Sequence, residues 1–563
     1  MTRFRSAQPG RRSAAPVAAA VLTALVVLLA ACTGPEGAAP STGASPQPGS
    51  TTATPDRADS RHGTVQGRYD VATGWGPTRA EIDRARRLVG RLSLPDLAGQ
   101  VIVARYTGTG APLRLVRRLH LGGVIVFDDN VSTASGLRHS LDRLQRGTRH
   151  AGRRWPVLVG VDQEGGIVER LEGPVTRYPA FMTAGAARDP ALTRAAYAGM
   201  SRELAGLGIN LDFAPDADVT SGPDDPTIGS RSAGSFPRLV ARQATAAAKG
   251  FIDAGVVPVV KHFPGHGSVP ANSHVELPVQ RKSLPELRRT DLVPFAAAVK
   301  AGAPAVMVGH LDVRAVDPRV PSSLSRPVIT GLLRRGLGFD GLVLTDALDM
   351  RAITDRYGSA RASVAALRAG ADVLLMPPSP RTARRAVVRA VRHDRLDRGR
   401  LTQAAVRQVA LLLHQRADGD QGARPGSARA ESRRLSAAGV TVVAGACSGR
   451  LVGASVRVRG SDPAARAFRM AARRAGLRLG GTGSTTVAFT GYADPPRTAD
   501  IVVSTDTPYV LADSDASVKI ALYGDTPGAM HALVRVLLGK APAPGKLPVR
   551  VPGVERRGCP GPA

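Results

Sequence analysis

Aromatic residues are scarce, at 4% of the 563-residue chain, so aliphatic side chains and alanine must build its core. Three cysteines exclude a disulfide-rich scaffold and a four-cysteine zinc site. Lysine is rare too: only seven of the 76 basic residues are Lys, and the arginines are scattered without interleaved aromatics. That pattern argues against a nucleic-acid partner; the net charge of +31 points instead to an anionic surface such as lipid or an acidic polymer. No HExxH sequence occurs, and no GK[ST] follows Gly480-Gly481-Thr482-Gly483, which excludes a zincin helix and a phosphate loop. What remains is ordinary globular composition, 43% hydrophobic and 21% charged, long enough for two or three domains.

The N-terminus carries an address. Arg3, Arg5, Arg11 and Arg12 precede an apolar run from Val17 to Ala31 that ends at Cys32. A basic segment followed by a short apolar one is expected to be a secretory signal, too short for a comfortable membrane span. Leu29-Ala30-Ala31-Cys32 resembles a lipobox, which implies cleavage after residue 31, acylation of Cys32 and anchoring on the outer face of a bacterial membrane. Residues 32–70 are rich in Gly, Pro, Ser, Thr and Ala and read as a flexible tether. Cys447 and Cys559 remain for an oxidising compartment, where a disulfide clamping the tail or two separate thiols both fit.

Between residues 71 and 416, short apolar runs alternate with amphipathic stretches. Strands are expected at Gln100–Tyr106, Gly123–Phe127, Val157–Val161, Ile209–Ala214, Val256–Val260, Ala305–Val308, Leu342–Leu344 and Val373–Met376. Helical patterns fill the gaps, among them Pro190–Leu207, Leu239–Ala254, Leu284–Ala301 and Ala360–Ala369. Near-continuous apolar strands separated by helices predict a parallel sheet buried on both faces, and eight such units predict a (β/α)8 TIM-type barrel. Asp162, Asp216, Lys261-His262, His310 and Asp346 follow these strands directly, where a barrel builds its active site. Residues 417–434 are polar and broken by Asp418-Gly419-Asp420 and Arg424-Pro425-Gly426, so a linker is expected there. A smaller α/β domain over 435–563 follows, with strands at Thr441–Ala444, Val487–Thr490, Ile501–Ser504 and Ile520–Tyr523 and helices at Ala464–Ala475 and Pro527–Leu538.

The most informative stretch is Lys261-His262-Phe263-Pro264-Gly265-His266-Gly267, followed by Asn272-Ser273-His274. Pro264 and Gly265 break any helix between the two histidines, so no metal site is expected. Lys261 and His262 are expected to donate hydrogen bonds to a polar ligand, with His274 on a mobile segment downstream. The stretch resembles the signature of glycoside hydrolase family 3, in its β-N-acetylglucosaminidase branch. So do Asp162-Gln163-Glu164-Gly165-Gly166 with Arg170-Leu171, Phe213-Ala214-Pro215, Ile228-Gly229-Ser230-Arg231-Ser232 and Leu344-Thr345-Asp346-Ala347-Leu348. Tyr523-Gly524-Asp525-Thr526-Pro527 and Gly545-Lys546-Leu547-Pro548-Val549 resemble two-domain members.

The resemblance implies that Asp346 is the nucleophile of a retaining hydrolase, forming a glycosyl-enzyme; alone, this residue would read equally well as a helix N-cap. It implies that Asp162, Arg170, Arg231, Lys261 and His262 bind the sugar, and that His266 and His310 are structural. No cofactor or metal is implied, and the oligomeric state is open. In that family a His is the acid/base, oriented by an Asp two residues earlier. His274 matches, but position 272 is Asn. An amide carbonyl holds an imidazole tautomer without stabilising the imidazolium by charge, so a weaker enzyme or one shifted to lower pH is expected. Glu276 is a candidate replacement acid. The expected reaction is release of terminal β-linked N-acetylglucosamine from cell-wall or chitin fragments. The alternatives are a catalytically impaired aminosugar-binding surface lipoprotein and a phosphorylase.

Overall fold

A computed structural model describes residues 73–417, 422–460, 462–491, 494, 498–554 and 557–560. The N-terminal signal, Cys32 and the tether lie outside the described residues. Eight strands form the first sheet: β1 Ile102–Arg105, β2 Gly123–Val126, β3 Leu158–Val161, β4 Leu211–Asp212, β5 Val257–Phe263, β6 Ala305–Val308, β7 Leu342–Thr345 and β8 Leu374–Leu375. All eight expected strands are present. Neighbours pair in parallel, β1 pairs with β8 at Ile102↔Leu374, and a bridge between Leu344 and Val373 closes the cylinder. Closure explains why the strand residues are buried along nearly their whole length: the side chains facing inward fill the barrel and those facing outward meet helices.

Four expected helices appear at Pro190–Gly206, Pro237–Asp253, Gly358–Ala369 and, in two pieces, Leu284–Arg289 and Leu292–Lys300. The last is a correction. Its break falls at Thr290-Asp291, where the buried Asp291 carboxylate accepts hydrogen bonds from Ser268, Lys282 and Thr290, each at 2.6 Å. Tethering three polar groups outweighs the propensity to continue a helix.

The second sheet comprises β9 Thr441–Ala444, β10 Ser455–Val458, β11 Arg478–Leu479, β12 Thr485–Thr490, β13 Ile501–Ser504 and β14 Val518–Ala521, in the order β9-β14-β13-β12-β10-β11. The pairing is parallel except between β9 and β14. β10 and β11 were not expected. β11 is the edge strand and β10 pairs between it and β12, but only one of the four β10 residues and none of the two in β11 is buried, so both lack the continuous apolar run that marks a buried strand. Part of the expected linker is also helical, over Arg429–Gly439. Its charged face is exposed, but Leu435 and Ala428 join the barrel-side core and Ser432 Oγ donates to the Arg177 carbonyl at 2.7 Å. Cys447 and Cys559 form a disulfide across 112 residues.

Candidate active site

Asp162, Asp216, Lys261-His262, His310 and Asp346 come from five different strand ends and converge at the C-terminal mouth of the barrel. Lys261, in β5, is buried, and its Nζ donates to Asp162 Oδ1 at 2.8 Å and lies 2.6 Å from Glu164 Oε1. Arg231 forks onto the same Glu164 through Nε at 2.9 Å and Nη2 at 2.8 Å. Burial opposes charge on Lys261 and Arg231, but the carboxylates around them reverse the effect and hold both strongly cationic. Glu164 is likewise opposed by burial yet kept well below the usual glutamate range by Arg231 and Lys261.

Behind this cluster lies a second layer. Asp218 Oδ2 accepts from the His262 main-chain N–H at 3.3 Å and from its Nδ1–H at 2.7 Å. The other face of that ring, Nε2, sits 3.4 Å from Arg231 Nη2. A guanidinium only donates, so in this contact Nε2 accepts while Nδ1–H faces Asp218. Both ring nitrogens of His262 therefore have protein partners, and the expected donation from His262 to a ligand has no free N–H in this arrangement. Lys261, with two carboxylates on a three-donor ammonium, keeps one donor for a ligand. Burial and the neighbouring Asp218 push the Asp216 carboxyl well up.

Asp216, Asp218 and His262 offer ligand atoms within 4.8 Å of one another. However, Arg231 Nη2 stands 3.7 Å from Asp216 Oδ2, so a guanidinium already supplies the cation there.

Asp346 immediately follows β7. Ala347 N–H donates to its Oδ1 at 2.7 Å, leaving Oδ2 without a hydrogen bond among the described contacts. Burial would raise this carboxyl, but the fields of His310 and His262, the Ala347 N–H and His274 together hold it below the ordinary aspartate value. His310 is buried, accepts from Ser323 Oγ at 2.7 Å through Nδ1, and holds the Ala347 carbonyl through Nε2–H at 2.9 Å. It fixes the turn that carries Asp346.

His274 is exposed on the loop after β5. Asn272 Oδ1 accepts from the His274 main-chain N–H at 2.9 Å, which fixes the amide orientation, and stands 2.9 Å from His274 Nδ1. Nδ1 must then carry the proton, leaving Nε2 as the outward atom. The loop is tied down next door: Ser273 Oγ bonds His266 Nε2 at 3.0 Å and the Ser273 carbonyl accepts from Ala352 N–H, just past Asp346, at 3.4 Å. The glycines of the loop are required. Gly265 has φ +128°, and a Cβ there would come 2.6 Å from Asp291 Cβ. Glu276 is exposed and makes no hydrogen bond to His274 among the described contacts. Arg170 lies over the Phe127 ring at 5.6 Å and has no carboxylate partner within 4.0 Å among the described residues.

Sequence reasoning assigned no role to Glu164 or Asp218. Glu164 stands inside the Asp162–Gly166 stretch that carries the resemblance, and the only signal for Asp218 is its position two residues past Asp216.

Residues 98–411 match the Glycosyl hydrolase family 3 N terminal domain, more than half of the chain. The chain belongs to glycosyl hydrolase family 3. It is 36% identical over 373 residues to Beta-hexosaminidase LpqI of Mycobacterium tuberculosis, covering 64% of this chain and 87% of that one. Against Beta-hexosaminidase A of Pseudoalteromonas piscicida the identity is 35% over 280 residues, and the match spans 47% of each chain, about half the relative's length. A glycoside hydrolase family 3 beta-N-acetylglucosaminidase from Paenibacillus sp. superposes with a TM-score of 0.75 at 30% identity, over 82% of this chain and 99% of that one. That coverage of the family 3 chain takes in the smaller α/β domain, which packs on the barrel through the Ala180 N–H to Tyr523 carbonyl bond at 3.0 Å and the Arg177–Asp525 pair at 3.2 Å.

Proposed function

We propose that this chain is a retaining β-N-acetylhexosaminidase that removes terminal β-linked N-acetylglucosamine from cell-wall or chitin oligosaccharides. The observation that carries the reading is Asp346: a carboxylate at a barrel strand end, held below the ordinary aspartate value, with one oxygen bound by Ala347 and the other without a hydrogen bond among the described contacts. In the first step Asp346 Oδ2 bonds to the anomeric carbon while the glycosidic oxygen leaves with a proton from the His274 imidazolium. In the second, neutral His274 Nε2 takes a proton from water, whose oxygen displaces Asp346 with net retention. Asp162 keeps Oδ2 for sugar hydroxyls, Lys261 keeps one N–H, and Arg170 keeps its guanidinium. Arg231 and His262 set the position of Glu164 and Asp218 and so of Lys261. The named activities of the hexosaminidase relatives support the substrate class.

The neutral Asn272 supports a second reading, transfer of the sugar to phosphate, since a carboxylate at that position would repel the incoming dianion. Export and acylation at Cys32 are part of the same proposal; they rest on the N-terminal sequence, and no helix of the described residues is long and apolar enough to cross a membrane. Release from an aryl β-N-acetylglucosaminide, with and without phosphate, tests the assignment. Turnover lost by about 10³-fold or more in Asp346→Ala is expected. Binding without turnover would leave an aminosugar receptor, and a strict need for phosphate a phosphorylase.

A further inference from the structure

At the opposite end of the barrel, a hollow of about 440 Å³ opens beside the N-terminal ends of β1, β2 and β3. Buried Arg153 and Trp155 form its floor, and exposed Arg91, Arg117 and Arg154 its rim, with half-buried His120 at one side. Among the described residues, Lys261 and Arg153 are the two cationic side chains in the buried class. The fold treats them differently. Lys261 has Asp162 and Glu164. Arg334, Arg400 and Arg407, less deeply placed, share Asp372.

Among the described residues Arg153 has no carboxylate within 4.0 Å; its Nη1 donates to the Leu121 carbonyl at 2.7 Å, its Nη2 to Gln100 Oε1 at 2.8 Å, and its Nε has no partner there. Burial pushes its guanidinium down to about 9, which leaves it charged at neutral pH. Arg91, Arg117 and Arg154 have no carboxylate partner either among the described residues, and no acidic residue lines the hollow. Asp96, outside the lining, is 3.9 Å from His120 and already faces Arg384 at 3.5 Å. Burial of an uncompensated charge is costly, and four guanidiniums around one cavity call for a polyvalent counter-ion.

We propose that this hollow is an anion site that takes a phosphoryl group. A single carboxylate would leave most of the charge unmatched, whereas a phosphoryl group offers several oxygens and up to two negative charges to planar guanidinium forks. Leu88, Leu92 and Val116 in the wall leave room for the organic part of an ester. That group reaches the site either on a soluble phosphate or on a lipid headgroup.

The chain has two tryptophans, so Trp75→Phe leaves Trp155, in the floor of the site, as the reporter. The full chain with this change is titrated with inorganic phosphate, with glycerol phosphate, and with vesicles of phosphatidylglycerol or phosphatidylcholine, all at matched ionic strength. The comparison is the same chain with Arg117→Gln and Arg154→Gln, exposed positions whose loss does not threaten folding. A saturable fluorescence change with either soluble phosphate, weakened about tenfold or more in the double variant, establishes a soluble ligand. A response to phosphatidylglycerol vesicles alone, weakened in the same way, establishes a headgroup site. Hydrolysis of the aryl glycoside stays unchanged in the double variant in both cases. No response beyond matched chloride, or an equal response in both proteins, overturns the proposal.

Discussion

Replacing Asn272 by Asp is the most informative perturbation of this enzyme, because it changes charge and almost nothing else. The Asn272 oxygen already accepts the His274 main-chain N–H and faces Nδ1 at 2.9 Å, so an aspartate oxygen takes over both contacts without moving the loop. At that separation a full charge interacts with an imidazolium by about 1.4 kcal/mol in a water-like dielectric. His274 is exposed, so this is an upper bound, and measured exposed pairs give about 0.2–1 kcal/mol. The protonated fraction of His274 on the alkaline side should therefore rise between about 1.4-fold and tenfold, and the alkaline limb of the pH–rate profile should move up by as much as about one pH unit.

Only the step that needs a proton gains. The assay compares kcat/KM for an alkyl or phenyl β-N-acetylglucosaminide, whose leaving group needs protonation, with that for a dinitrophenyl one, whose leaving group does not. The first should increase in Asn272→Asp and the second should stay level. An equal change for both, or an unshifted alkaline limb, would refute the assignment of His274 as the acid.

Three further outcomes follow from the geometry. Glu164→Gln strips Lys261 and Arg231 of their shared carboxylate and should destabilise the protein by about 3–5 kcal/mol, read as a fall in Tm, while raising KM for the sugar. Burial would raise Asp372, but Arg334, Arg400 and Arg407 hold it down to about 2. Its folded value lies below the unfolded one, so its contribution, about 2 kcal/mol, is complete above the ordinary aspartate value near 3.9 and is lost as the pH falls toward 2; Asp372→Asn should flatten that part of the Tm–pH curve and lower Tm at neutral pH. Reduction of Cys447–Cys559, which closes a loop of 112 residues, should cost up to about 4–5 kcal/mol in the chain-entropy account, measured by denaturant unfolding with and without reductant.

The sequence made the barrel legible because closure buries each strand on both faces, and a strand buried on both faces is written as an uninterrupted apolar run. Even β4, reduced to Leu211–Asp212, was readable from the apolar stretch around it. Strands β10 and β11, at and next to the sheet edge, escaped, as their partly exposed residues break that run. The helix at Arg429–Gly439 escaped for a related reason: one charged face hides a narrow apolar stripe that docks on the barrel.

By itself, then, the sequence determined which residue types stand at the strand ends and in what order they meet the mouth of the barrel. Only the tertiary structure decided what state each one is in. Lys261 and Asp162 are 99 residues apart along the chain and Arg231 and Glu164 are 67, yet their charges are set by those contacts. The ring orientation of His262, the Ala347 contact on Asp346 and the lack of a carboxylate beside Arg153 among the described residues are likewise properties of neighbours brought together by folding. Protonation and hydrogen-bonding depend on desolvation and on charges a few ångströms away, and no local pattern of residues records those distances.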